Sequence, residues 1–211
     1  NLLPPATKKA LDFLSHEKWL GRSLWYLAGG TALALHAGHR RSVDLDFFIP
    51  RGNFSLAKLV ARFPKSIWET DIAREGTIYG KLHGAKISFI AYPFFLPRHP
   101  YGRYGEVKIL TPQDIAVMKI VAISQRGRKR DFIDLYWHVS KKEPLGAVLS
   151  RLSDQYPTVA HNYHHILKSL AYFEDAEIDS DPVIFFKADW KEVKDFFSKE
   201  ILTITKSLLK L

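Results

Sequence analysis

Residues Leu27 to Phe48 read LAGGTALALHAGHRRSVDLDFF, and the order of residue types in this stretch decides the fold. An apolar and aromatic run from Leu24 to Ala28 is halted by Gly29 and Gly30, the pattern of a short buried strand ending in a turn. Thr31 to Ala37 reads as a short helix. Ser42 to Ile49, rich in β-branched and aromatic residues and closed by Pro50, reads as a second strand. Strand side chains alternate, so Asp44 and Asp46 point to one side and Leu45 and Phe47 to the other.

Two carboxylates on one face of an apolar strand repel each other and lose hydration, at a cost of roughly several kcal/mol per buried ion. A divalent cation removes that cost. Magnesium is favoured at Asp44 and Asp46, with manganese as the alternative, because the site offers few protein oxygens and no soft ligand, and leaves positions for phosphate and water. Gly29 and Gly30 let the backbone approach a triphosphate, and Thr31 begins a helix whose amide end suits phosphate. Arg41, Ser42 and Arg130 join these three as candidate nucleotide-binding residues.

Outward from this stretch, Pro4 to Leu20 has the spacing of an amphipathic helix, and Asn53 to Phe63 reads as another, stopped by Pro64. Three strand-like segments follow at Ile67 to Ile72, Thr77 to His83 and Lys86 to Tyr92, the last two joined by a hairpin turn at His83 and Gly84. Pro93 to Gly105 reads as a loop and Val107 to Leu110 as a short strand. After residue 110 the strand signals stop. Thr111 and Pro112 make an N-cap and first-turn pair, Asp114 is placed to favour the positive helix end, and the helix runs to about Gln125 before Gly127. Further helices are expected at Asp131 to Val139, Leu145 to Leu152, Val159 to Phe173 and Trp190 to Leu209. The fold class is therefore α/β (α+β): a mixed-sheet core over residues 1–110 and a helical part over 111–211 that completes a cleft.

Lys119 is the sole charged residue between Ile115 and Ile123. On residue type alone it either snorkels from an apolar helix or presents its ammonium to a cleft. Asp131 and Asp134, three apart, share a helix face, where they either look into one cleft or pair with Arg or Lys at the helix start. Arg126, Arg128, Lys129 and Arg130, with His39, Arg40 and Arg41, could follow a phosphate backbone or simply be solvated helix ends. His161, His164 and His165 have no carboxylate in register and read as surface or packing residues.

The run GGTALALHAGHRRSVDLDFF resembles the first motif of the AbiEii-type toxin nucleotidyltransferases, members of the DNA polymerase β-like superfamily that also holds the MenT toxins. The likeness extends to DIAVMKIVAISQRGRKRDFIDLY, so its motifs span about Leu27 to Tyr136. It implies a polymerase β-like core in which Asp44 and Asp46 hold magnesium under a nucleoside triphosphate. Lys119 would reach that triphosphate and offset charge on the leaving pyrophosphate. In the RD-x-x-D signature, Asp134 is the first choice and Asp131 the second for the partner of that catalytic lysine. It further implies a toxin of a toxin–antitoxin pair, with tRNA or a protein as acceptor and a cognate antitoxin as partner; related folds also modify small molecules. One departure stands out. Such enzymes place a third carboxylate on a neighbouring strand, and the equivalent in KISFIAY is Ser88. Asp131, Asp134, Asp71 or Glu69 could substitute, or the chain is a degenerate nucleotide- or RNA-binding module.

The 211 residues contain no cysteine, which excludes disulfide staples, zinc ribbons and thiol nucleophiles and suits a reducing, cytoplasmic setting. No membrane span or signal peptide is readable. A net charge of +9, from 31 Lys and Arg against 22 Asp and Glu, mildly favours a polyanionic partner such as RNA.

Overall fold

The computed structural model describes residues 1–209. The chain opens with α1 (Pro5–Ser15), α2 (Lys18–Arg22), β1 (Tyr26–Ala28), α3 (Gly29–Ala37), β2 (Leu45–Ile49) and α4 (Leu56–Val60). It continues through β3 (Trp68–Arg74), β4 (Thr77–Leu82), β5 (Ala85–Ala91), β6 (Gly102–Tyr104) and β7 (Val107–Ile109). Helices then follow one another: α5 (Pro112–Arg126), α6 (Lys129–Lys141), α7 (Leu145–Ser150), α8 (Leu152–Gln155), α9 (Tyr163–Leu170), α10 (Glu174–Glu177) and α11 (Trp190–Leu209).

The strands form one mixed sheet in the order β3-β4-β5-β2-β1-β7-β6. β2 lies antiparallel to β1 and parallel to β5, which puts Asp46 between Ala28 and Ser88. Alternation sorts β2 into two faces. Leu45, Phe47 and Ile49 are buried, while Asp46 and Phe48 are partly open on the other side. On the buried face Phe47 stacks on Phe89 at 5.1 Å, and Phe63 stacks on Trp68 at 4.7 Å. One continuous apolar core runs from Leu3 to Ile201 and joins the sheet to the helices.

The β4–β5 hairpin turns through His83 and Gly84, both with positive φ (51° and 79°), as a two-residue primed turn requires. β3 carries a bulge between Thr70 and Ile72 that leaves Asp71 out of register with β4. α5 has Thr111 at its N-cap, Pro112 in the first turn and Gly127 with φ of 52° at its C-cap. Among the described residues no helix is long and apolar enough to cross a membrane.

Several boundaries differ from the expectation. The first helix breaks after Ser15, where the Ser15 hydroxyl and His16 Nδ1 bond the Asp12 carbonyl and the Glu106 amide donates to the Ser15 carbonyl. The loop from Pro93 contains β6, a short edge strand with no apolar alternation of its own that forms by pairing Arg103 with Lys108. The helix expected from Val159 to Phe173 is shorter at both ends, as α9 capped by Asn162, and α10 follows as a separate turn of helix. Asp114 serves the loop more than the helix end: its carboxylate accepts from the Arg98 and His99 amides, His99 Nδ1 and Gln155 Nε2.

Candidate active site

Gly29 opens α3 with φ of 69°, a left-handed angle that glycine adopts without steric cost. A Cβ at this position would also stand 3.1 Å from Oδ2 of Asp46. The glycine therefore sets the start of α3 directly against that carboxylate. No side chain caps the first turn, so the positive helix end is open to an anion.

Among the described residues Asp46 has one side-chain hydrogen-bond partner, the Ser88 hydroxyl, which donates to Oδ1 at 2.8 Å. Burial raises the Asp46 carboxyl above its usual range, the Ser88 bond offsets only part of that, and the charge of Asp44 adds to the rise. Asp44 lies just ahead of β2, because the Thr31 hydroxyl holds its carbonyl oxygen and the strand ladder begins one residue later. The Asp44 side chain accepts from Arg130 Nη1 at 3.2 Å, with both groups partly solvated (29% and 46% exposed). Both carboxylates line one cleft of about 500 Å³, together with Gly29, Ser88, Lys119 and Arg130.

α5 also faces the cleft, with Ile115, Met118, Lys119, Ala122, Gln125 and Arg126 among its lining residues, mostly three or four apart. Lys119 does not snorkel. Its Nζ lies 2.6 Å from Asp131 Oδ1 and 2.6 Å from Asp134 Oδ2 in a buried network. Asp134 also accepts from His39 Nε2 at 2.7 Å and from Arg40 through Nε at 2.6 Å and Nη2 at 2.8 Å. Asp131 accepts from Arg126 Nε at 3.0 Å. Burial alone would raise both acids, but Lys119 and Arg40 hold Asp134 well below the usual carboxylate range, and Lys119 with Arg126 lowers Asp131.

That saturation corrects one expectation. Asp131 and Asp134 were candidates to replace the missing third acid, yet as ionised, fully bonded carboxylates they suit the holding of Lys119 and not the taking of a proton. Glu69 pairs with Lys81 and does not line the cleft, whereas the bulge at Asp71 turns that residue onto the cleft rim. Thr31 and Ser42 are buried, and their hydroxyls bond each other at 2.9 Å, so these two anchor the turn. Arg41 and Ser42 line an adjoining hollow of about 440 Å³ with Arg128, and Arg130 borders both spaces. His165, exposed, bonds the Ser124 carbonyl through Nε2 at 2.9 Å, and His161, half-buried, bonds the Tyr156 carbonyl through Nε2 at 3.2 Å.

The residues missed as members of the site are His39 and Arg40, read from sequence as part of a basic surface but buried against Asp134. No local periodicity marks them. Among the described residues no group of three or more His, Cys, Asp or Glu side chains could hold a metal alone. Two hard carboxylates, one of them partly buried with only a neutral partner, still fit an ion of the magnesium class that completes its shell from phosphate and water.

The fold is that of the polymerase β-like nucleotidyltransferases. JHP933 from Helicobacter pylori matches with a TM-score of 0.54 at 16% identity, covering 99% of this chain and 95% of that one. MenT4, a nucleotidyltransferase toxin from Mycobacterium tuberculosis H37Rv, matches with a TM-score of 0.50 at 16% identity, covering 96% and 86%. Within that class, residues 12–77 and 80–204 match the family described as nucleotidyl transferase AbiEii toxin, Type IV TA system, and the chain belongs to that family. An uncharacterised protein of Aquifex aeolicus (strain VF5) is 36% identical over 186 residues, 84% of this chain and 86% of its own length.

Proposed function

We propose that this chain is a magnesium-dependent nucleotidyltransferase that moves a nucleoside monophosphate from a nucleoside triphosphate to an acceptor hydroxyl, as the toxin of a toxin–antitoxin pair. The observation that carries the reading is the shared cleft in which Asp44 and Asp46, the Gly29 turn and Lys119 converge. The acceptor oxygen bonds to the α-phosphorus, the bond from that phosphorus to the bridging oxygen breaks, pyrophosphate leaves, and the acceptor proton is released. The open amide end of α3 receives phosphate oxygens. Lys119, held ready by two carboxylates, offsets charge that develops on the leaving group. Arg126 and Arg130 on the rim add donors for the same anion. Bound to Asp44 and Asp46, magnesium, with manganese as the alternative, would neutralise triphosphate charge as a Lewis acid.

For the acceptor, the hollow where Arg41, Arg128 and Arg130 outnumber Asp179, which pairs with Arg128, favours a polyanion, and we propose tRNA ahead of a protein. A cytoplasmic location and a cognate antitoxin complete the proposal. A second reading, a nucleotide- or RNA-binding module that does not transfer, is favoured by Ser88 beside Asp46. Incubating the protein with each labelled nucleoside triphosphate, magnesium and total tRNA separates the two. Label transfer that vanishes in Asp46→Asn supports the enzyme. Tight nucleotide binding without transfer to tRNA or protein supports the module.

A further inference from the structure

Gly30 does not share the conformational need of Gly29: its φ lies outside the left-handed range. What it supplies is space. A Cβ on Gly30 would stand 2.2 Å from Nη2 of Arg40 and 3.2 Å from its Cζ. A free arginine tip would step aside from such a contact, but this one is not free. Its guanidinium is buried and forks onto both oxygens of Asp134, and a further bond from Nη1 to the Arg41 carbonyl at 2.9 Å holds it in place.

The fork matters for what lies beyond it. A two-point guanidinium contact fixes the plane of a carboxylate, which a single-point ammonium cannot do. The same Asp134 Oδ2 that takes Arg40 Nη2 lies 2.6 Å from Lys119 Nζ. A lysine ammonium has three N–H donors. Its Nζ donates to Asp131 Oδ1, is ion-paired with Asp134 Oδ2 and lines the cleft, so where it points there is set by where the two carboxylates stand. Three cationic side chains, Lys119, Arg40 and Arg126, meet two carboxylates in this network, so the wall keeps a surplus positive charge.

We propose that Arg40 is a positioning residue: passing through the gap that glycine leaves at position 30, it clamps Asp134 and thereby aims Lys119 into the cleft. The second glycine of the turn is thus there for the arginine, and the phosphate-binding turn and the lysine are linked through one buried guanidinium. The inference rests on the nucleotidyl-transfer reading for its kinetic arm and is independent of it for its spectroscopic arm.

Two variants test it by different routes. Arg40→Lys keeps the charge and removes the fork. Gly30→Ala keeps the arginine and fills its path, at a helical position where alanine is otherwise favourable. Thermal unfolding identifies which variants retain the fold. In the kinetic arm, each is expected to lower kcat by about 10- to 100-fold with the KM for nucleoside triphosphate little changed, since about 1 Å of misplacement costs on that order. In a Lys119→Ala background the same two changes should cost less than about threefold, because residues acting as a unit are not additive. A kcat loss that persists undiminished without Lys119 would overturn the proposal.

In the spectroscopic arm, protein labelled with 15N at lysine Nζ should show a slowly exchanging ammonium resonance, assigned by its loss in Lys119→Ala. That resonance should broaden or shift in Arg40→Lys and Gly30→Ala. If it is unchanged in folded variants, Arg40 does not hold the lysine, whatever the activity. If the wild type transfers no nucleotide while the resonance responds as expected, it is the proposed function that fails and the clamp that stands.

Discussion

Asp46 on the sheet wall and Asp134 on the helical wall are the same residue in opposite surroundings. Asp46 is partly buried, bonded by a single neutral hydroxyl and pushed above the usual carboxylate range. Asp134 is fully buried, takes hydrogen bonds from His39 and Arg40, pairs with Lys119, and is held well below that range. The difference separates two kinds of work. A carboxylate whose charge is not neutralised by the protein suits the cation proposed above. One whose charge is fully answered is prepared to hold something else still.

The comparison can be broken most decisively at Asp46. Asp46→Asn should lower nucleotidyl transfer by about 10²- to 10³-fold or more, on the scale of losing one preorganised electrostatic group, measured with labelled nucleoside triphosphate. It should leave the urea midpoint unchanged or slightly raised, because a poorly solvated charge is removed. Asp134→Ala should do the reverse in stability. Breaking a buried pair strands the partner charges and costs about 3–5 kcal/mol, which urea unfolding would register. If the two substitutions gave equal stability losses, the distinction between the walls would be wrong.

A third carboxylate would sharpen the contrast. Ser88→Asp places an acid in register beside Asp46, so it should cost roughly 1–3 kcal/mol in chelator, the range for an unanswered buried polar group. Magnesium or manganese should restore part of that loss, growing with the logarithm of the ion concentration above its Kd, because binding to the folded state alone stabilises it. No recovery with either ion would argue against metal at Asp44 and Asp46.

The pH dependence follows from the two directions. Asp131 and Asp134 have folded values below the unfolded one, so their stabilisation is present above the ordinary carboxylate value of about 3.9 and is lost as pH falls through the folded values. Asp46 has a raised folded value, so its contribution runs the other way: stability rises as pH falls from above that value toward the unfolded one. The urea midpoint of the wild type measured against that of Asp46→Asn should therefore rise as pH falls toward the ordinary carboxylate value, and both proteins should lose stability once Asp131 and Asp134 protonate. The smallest effect belongs to Arg130. Its partly solvated pairing with Asp44 should contribute less than about 1 kcal/mol, so Arg130→Ala should leave the melting temperature nearly unchanged while weakening nucleotide binding.

Much of this molecule follows from local pattern. The glycine turn, the alternation that sets Asp46 apart from Leu45 and Phe47, the His83–Gly84 hairpin and the bounds of α5 depend on backbone conformation and periodicities of two and 3.6, which neighbouring residues specify. The split of the first helix and the presence of β6 were not legible, because each forms through contact with a distant segment: Glu106 on Ser15, and β7 on β6.

The amino-acid sequence by itself pointed to the class of chemistry, by placing two hard acids and a glycine turn within 18 residues from Gly29 to Asp46, together with a lone lysine on an apolar helix. Only the tertiary structure decided which acids are free and which are answered. Arg40 and His39 reach Asp134 across 94 and 95 residues, and Ser88 reaches Asp46 across 42. The physical reason is that the behaviour of a buried charge depends on the partners that folding brings to it, and those partners leave no trace in its own stretch of chain.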